Sequence, residues 1–252
     1  MSQVFRQVRF TNKAFWRNPA SAFFTFVFPL LFLAIFTTLL GNSEGIVNGE
    51  TIKASTYYVF SMASFGLISA CYTNIAISVV FAREEGVLKR LRGTPLPAAS
   101  YLSARVLHAT AVAFLLVAIT VVFGVVVYDA HVPELADLLR FIATFLVGAG
   151  CFAALGLAIS GIVPNADAGP PIVNAVVLPL LFLSGVFIQI GDDAPAWVVW
   201  VGRVFPVKHL VDGMRDSYLG LSFHWSDVAV MAIWMAAGLL VARRTFRWEP
   251  SR

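Results

Sequence analysis

The residues of this chain best suited to catalysis are four histidines, and their spacing supports no reaction. His108, His131, His209 and His224 form no HExxH pattern, in which two imidazoles one helical turn apart hold a metal beside a carboxylate base. Cys71 and Cys151 stand apart without CxxC spacing and read as small apolar residues. The phosphate-cradling pattern GxxxxGKS or GxxxxGKT does not occur, so the sequence offers no ATP site of that kind and no metal or cofactor of its own. Ion-coupled carriers need acids, histidines or bases at membrane depth, yet the long apolar stretches here are nearly uncharged. Arg105 and His108 stand near one end of such a stretch and Arg140 near the end of another, where each can reach an interface. The energy source therefore lies outside this chain, and an ion-coupled carrier or channel is the lesser alternative.

Charge does gather in one short segment, REEGVLKRLRGTPLP at residues 83–97. Acids come early, at Glu84 and Glu85, and bases late, at Lys89, Arg90 and Arg92, which suits a helix dipole. Glu85 and Lys89 are spaced as an i, i+4 pair. Gly93 is placed to cap the helix, and Pro95 and Pro97 prevent its continuation. The spacing predicts a helix from Glu84 to Arg92 with a small apolar face of Val87, Leu88 and Leu91. Such a helix suits docking to another protein; a basic loop that merely happens to be helical is the plainer reading.

The rest of the chain is built to span a membrane. Of its 252 residues, 59% are hydrophobic and 13% charged, with mean hydropathy +0.81, where soluble domains carry roughly 25% charged residues. Six apolar runs, at about 20–40, 57–82, 104–128, 138–163, 170–190 and 227–246, each approach the ~20 residues that cross a bilayer. The expected fold is therefore an all-α integral membrane protein, one domain over residues 1–252 with a six-helix bundle over 20–246. Thirteen of the eighteen Lys and Arg residues fall in the N-terminal segment, the 83–105 region and the C-terminus. The positive-inside rule then puts both termini and the 83–97 segment in the cytoplasm. It also accounts for the net charge of +4 without nucleic acid.

Within residues 1–19, Arg6, Arg9, Lys13 and Arg17 share one helical face and Val4, Val8 and Phe15 the other, the pattern of an interfacial helix against membrane lipids. A basic tail without fixed shape is the alternative. From Gly191 to Ser226 two short external helices, interfacial or partly re-entrant, are expected, one N-capped by Asp193 with Pro195 in its first turn, the other opened by Pro206. In the second, Leu210, Val211, Met214 and Tyr218 contrast with Asp212, Arg215 and Asp216; an irregular surface loop is the alternative. Polar groups in the runs are mild. Ser64, Cys71, Asn74 and Ser78 fall on one face of the second run, and Asn174, Leu178, Leu181, Gly185 and Gln189 on one face of the fifth. These faces could line a path for an amphipathic molecule or pack against neighbouring helices. Pro29 and Pro179 would kink their helices. Ser184-Gly185 is similar to the serine motif of rhomboid intramembrane proteases, but Phe182 stands where their glycine belongs.

Taken together, these features resemble the permease subunits of type-2 ABC transporters over nearly the whole chain. The stretches FAREEGVLKRLRGTPLPAASYLSARVL at 81–107 and PLLFLSGVFIQIGDDAPAWVVWVGRVFPVKHLVDGMRDSYLG at 179–220 carry the resemblance. It implies a multi-pass protein of the bacterial cytoplasmic membrane that exports a hydrophobic or amphipathic compound, such as a drug, antibiotic or lipid-like molecule. ATP and Mg would sit on a separate cytoplasmic ATPase subunit, present in two copies, with a second permease copy or a sister permease completing the complex. By the same resemblance Arg83, Glu84, Glu85, Leu88, Leu91 and Arg92 would meet the ATPase. Ser64, Asn74, Ser78, Asn174, Leu181, Gly185 and Gln189 would border the pathway. Export of a polysaccharide or glycolipid, or a sensing subunit that does not transport, are the alternatives.

Overall fold

The computed structural model describes residues 3–40, 43–47, 50–190 and 194–246. Asp192 and Asp193, with the cap expected there, and Arg247 and Arg252 lie outside the described residues. The chain begins with α1 (Gln3–Trp16), and two residues later α2 (Pro19–Leu40) follows. Phe15 turns inward from α1 while Arg6, Arg9 and Lys13 remain exposed, as the alternation of basic and apolar residues demands. Pro29 lies inside α2, where an interior proline removes one backbone bond.

After α2 the helical pattern gives way to a hairpin of β1 (Glu44–Val47) and β2 (Glu50–Lys53), paired antiparallel from Glu44 opposite Lys53 to Val47 opposite Glu50. The second apolar run then continues from Ala54 to Glu84 as α3 (Ala54–Ile68), one π turn (Ser69–Thr73) and α4 (Asn74–Glu84). All of α3 beyond Ala54 is buried, so this helix forms the centre of the bundle. A π turn adds a residue to the helical repeat and rotates everything after it. Here it meets Gly156 across a helix contact: a Cβ at 156 would lie 2.7 Å from the Tyr72 carbonyl oxygen. Only glycine admits so close an approach of two backbones.

The short α5 (Val87–Arg92) precedes α6 (Ala98–Tyr128), and α7 (Leu135–Ile162) follows. Among the described residues, α2, α3–α4, α6, α7 and the last helix, α11 (Trp225–Thr245), are the five helices long and apolar enough to cross a membrane. Helices α7 and α11 pack along one another, and Gly238 brings α11 against the Ala154 backbone of α7. The fifth apolar run departs from expectation. Its helix, α8 (Gly169–Phe182), has only 14 residues, opens with prolines in its first turn and carries Pro179 inside it. Residues 183–188 continue as turns, with Gly185 at φ +78°.

Irregular backbone buried in a bundle must find hydrogen-bond partners in the protein. The Tyr57 hydroxyl donates to the Gly185 carbonyl and the Tyr58 hydroxyl lies 3.4 Å from that of Phe187. Beyond this segment come α9 (Ala196–Val204) and α10 (Pro206–Tyr218). α9 keeps Trp197 and Trp200 exposed, whereas α10 is driven into the bundle, its Leu210 against Gly148 and Leu67 and its Met214 beside Ser64. Both expected helices are present, α9 largely exposed and α10 packed into the bundle.

Candidate functional site

At the end of the bundle that carries α1, α5 and the C-terminal end of α11, the helix through Ala54–Glu84 stops because Gly86 takes a left-handed conformation, φ +68°. The stop is a C-cap: Glu85 N–H donates to the Phe81 carbonyl at 2.9 Å and Gly86 N–H to that of Arg83 at 3.0 Å. The predicted helix from Glu84 to Arg92 is therefore two pieces, and the break separates Glu85 from Lys89. The piece beyond the break, α5, is six residues long.

Two of the residues expected to face a partner face inward instead. Arg83 is 2% exposed and donates to the carbonyls of Ser160 at 3.1 Å, Val163 at 2.6 Å and Pro164 at 3.2 Å, closing the C-terminal end of α7. Leu88 is fully buried against this chain and anchors α5. Glu85, Lys89, Arg90 and Arg92 are exposed, with Glu84 and Leu91 half-buried beside them. The outward surface is thus a charged helix packed down by the buried Leu88, next to an α4 end that Arg83 ties to α7.

The polar stripe of the second run is divided by the π turn. Ser64, before it, is buried, donates to the Phe60 carbonyl at 2.8 Å and lies 3.3 Å from Met214 Sδ. Asn74 and Ser78, after it, open on a cleft of about 190 Å³ between α1, α4 and α6, shared with Thr11, Asn18, Arg105 and His108. The stripe of the fifth run ends with α8. Asn174 is half-buried, Leu181 buried, Gly185 buried in the turn against Tyr57, and Gln189 exposed beyond it. The structure gathers Asn74 and Ser78 at one site and leaves Ser64, Asn174, Leu181, Gly185 and Gln189 apart from it.

Charge also gathers on α10, among residues 206–218. Asp212 pairs with Lys208 at 3.0 Å and Arg215 at 2.8 Å, and Arg215 also holds the buried Asp216 at 2.8 Å. His209 Nδ1 lies 2.6 Å from Asp227 of α11, and His224 3.2 Å from Asp216. The hydrogen bond to Asp227 raises the His209 pKa above its ordinary value, and burial raises that of Asp216 in spite of Arg215. Asp216, His224 and Asp227 bring ligand atoms within 4.8 Å of one another. Both carboxylates are already paired, with Arg215 and His209, so the arrangement fastens α10 to α11. The i, i+4 spacing of Lys208 and Asp212 was readable; the partnership of His209 with Asp227 joins two elements and left no local signal.

The chain matches the family model described as ABC-2 type transporter over residues 2–219. It belongs to that permease family. Among its relatives, a protein named transport permease YvfS from Bacillus subtilis is 22% identical over 227 residues, covering 90% of each chain. One named transport permease ycf38 from Porphyra purpurea is 25% identical over 87% of this chain and 75% of its own. A protein named multidrug ABC transporter permease YbhR from Escherichia coli is 23% identical over 68% of this chain and 47% of its own. The permease is thus a multi-pass transmembrane subunit of an ABC transporter, and its family implies an ATPase partner.

Proposed function

We propose that this permease exports a hydrophobic or amphipathic compound across the bacterial cytoplasmic membrane, powered by ATP hydrolysis on a separate subunit. One observation carries the reading: an anchored, outwardly charged α5 stands at the end of the longest buried helix of an ABC-2 permease. Force applied to α5 passes through Leu88 and Arg83 into α4 and the end of α7, and from α4 through the π turn into the centre of the bundle. Glu84, Glu85, Leu91 and Arg92 supply the contact surface, and Arg83 and Leu88 transmit its movement. In this reading the chain crosses six times, α8 with its terminal turn being the fifth crossing, and both termini are cytoplasmic. Two permease copies and two ATPase subunits form the working complex, with ATP and Mg on the ATPases alone.

The test is co-purification of the permease with its ATPase partner, followed by reconstitution and a screen of amphipathic compounds for stimulated ATP hydrolysis and transport. Stimulation that Glu85→Arg abolishes, with basal hydrolysis retained, is expected. Transport by the permease alone, driven by an ion gradient, would sink the reading.

A further inference from the structure

We propose that the cleft beneath α1 binds the anionic head group, phosphate or carboxylate, of an amphipathic molecule whose tail stays in the bilayer. The inference deepens the export reading by naming a substrate chemistry, and it rests on that reading for the fate of the bound molecule.

Charge is the first ground. Thr11, Asn18, Asn74, Ser78, Arg105 and His108 line the cleft, and none of its lining residues is an acid. A cationic ligand would meet Arg105 with no counter-charge in the wall, whereas an anion would find donors on several sides.

The posture of Arg105 is the second. A long basic side chain near a helix end normally extends into water. Here Nε donates to the Tyr101 hydroxyl at 3.0 Å, and the guanidinium lies 5.1 Å from the Tyr101 ring centroid. The tyrosine thus fixes the fork and uses one nitrogen, leaving the two terminal amino groups to a ligand. A planar fork held in this way matches the paired oxygens of phosphate or carboxylate.

Position and size are the third. Phe15 of α1 is buried against His108, ring centroids 5.4 Å apart, and closes one side of the cleft. Phe5, Phe10 and Trp16 of the same helix stay exposed beside its basic residues, the habit of a helix lying in the membrane interface. The cleft therefore opens at head-group depth. Its volume of about 190 Å³ falls below the ~300–1,000 Å³ of pockets that enclose drug-sized molecules. It suits a head group with the tail left outside.

The π turn explains why Asn74 serves this cleft. Without the added residue Asn74 and Ser78 would share a face with Ser64, which looks toward α10.

The test uses the full-length permease in maltoside micelles, with dodecyl phosphate as probe and dodecyltrimethylammonium and inorganic phosphate as comparisons, binding being read by titration calorimetry. One dodecyl phosphate per chain is expected. Arg105→Gln should weaken it about 10-fold or more, the scale of a hydrogen-bonded charge, and Arg105→Lys by less. Asn74→Leu, which leaves the Arg105–Tyr101 contact intact, should also weaken it, and Arg140→Gln at the far end of the bundle should not. Unchanged binding in Arg105→Gln with a wild-type unfolding temperature, or equal binding of the ammonium amphiphile, overturns the site. Inorganic phosphate binding as tightly as dodecyl phosphate overturns the amphiphile assignment. No ATPase is present in this measurement, so its failure is separate from failure of the export reading, which shows in stimulated hydrolysis.

Discussion

Arg83 Nη2 lies 2.6 Å from the carbonyl oxygen of Val163, tying the end of α4 to the residue after α7. With its bonds to Ser160 and Pro164, the same side chain satisfies carbonyls that a helix end leaves without partners. Hydrogen bonds to a charged donor contribute about 1.5–3 kcal/mol each, and removing the donor leaves buried acceptors unpaired. Arg83→Met should therefore cost about 3 kcal/mol or more and lower the unfolding temperature in detergent. Arg83→Lys should recover part of this, since one ammonium lacks the fork that reaches several carbonyls. Exposed Lys89→Met should change it little. Equal unfolding temperatures for the Arg83 and Lys89 variants would remove Arg83 from its role in tying the end of α4 to α7.

Gly156 predicts a second loss. A Cβ there would lie 2.7 Å from the Tyr72 carbonyl oxygen and 3.0 Å from that of Cys71, so even alanine forces two backbones apart. Overpacking of this kind costs about 1–3 kcal/mol. Gly156→Ala should destabilise the protein on that scale. Gly93→Ala, where the nearest atom is 3.4 Å away, should change the unfolding temperature far less. A neutral Gly156→Ala would mean that α7 and the π turn can separate freely.

The His209–Asp227 bond makes stability depend on pH. Because the folded pKa of His209 is raised above 6.5, the stabilising proton is bound throughout below that value and is lost as pH rises through the higher folded value. The difference in unfolding temperature between wild type and His209→Gln should therefore be largest near pH 6 and shrink toward pH 9. Contributions from groups that do not touch His209 cancel between the two proteins. A difference that grows with pH would show that the fold holds His209 neutral.

Hydropathy made most of the bundle legible, because a helix that crosses lipid must be apolar for most of its length. The runs at 20–40, 104–128, 138–163 and 227–246 each coincide with one long helix. What stayed hidden depends on local backbone form or on long-range partners. The π turn at Ser69–Thr73 has no compositional mark, so Ser64 and Asn74 seemed to share a face that the structure divides. Gly86 does carry a mark: a glycine between Glu85 and Val87 can end a helix, but the favourable charge order on either side argued for continuity. Asn48-Gly49 likewise lies between β1 and β2 and is a strong hairpin signal in a sequence otherwise read for helices. The inward turn of Arg83 was the hardest to see. A basic residue at a membrane helix end ordinarily goes to water, and its carbonyl partners lie 77 to 81 positions away.

Gly86 tests the coupling proposal more sharply than any charge reversal. Its φ of +68° is costly for a residue with a Cβ, about 1–2 kcal/mol, while a Cβ at this position would touch nothing within 4 Å. Gly86→Ala therefore adds no clash and acts on backbone preference alone. It biases the chain toward one continuous helix from α4 through α5, and that would swing α5 out of the direction set by Leu88. Gly86→Asn tolerates the left-handed form better and should keep the break. Both variants should insert and stay folded, since the position is open, but Gly86→Ala should hydrolyse ATP with its partner while transporting several-fold less per ATP. Gly86→Asn should transport nearly as well as wild type. If the alanine variant couples as efficiently as the asparagine variant, the orientation of α5 is not what conveys the ATPase movement, and the contact surface must lie elsewhere.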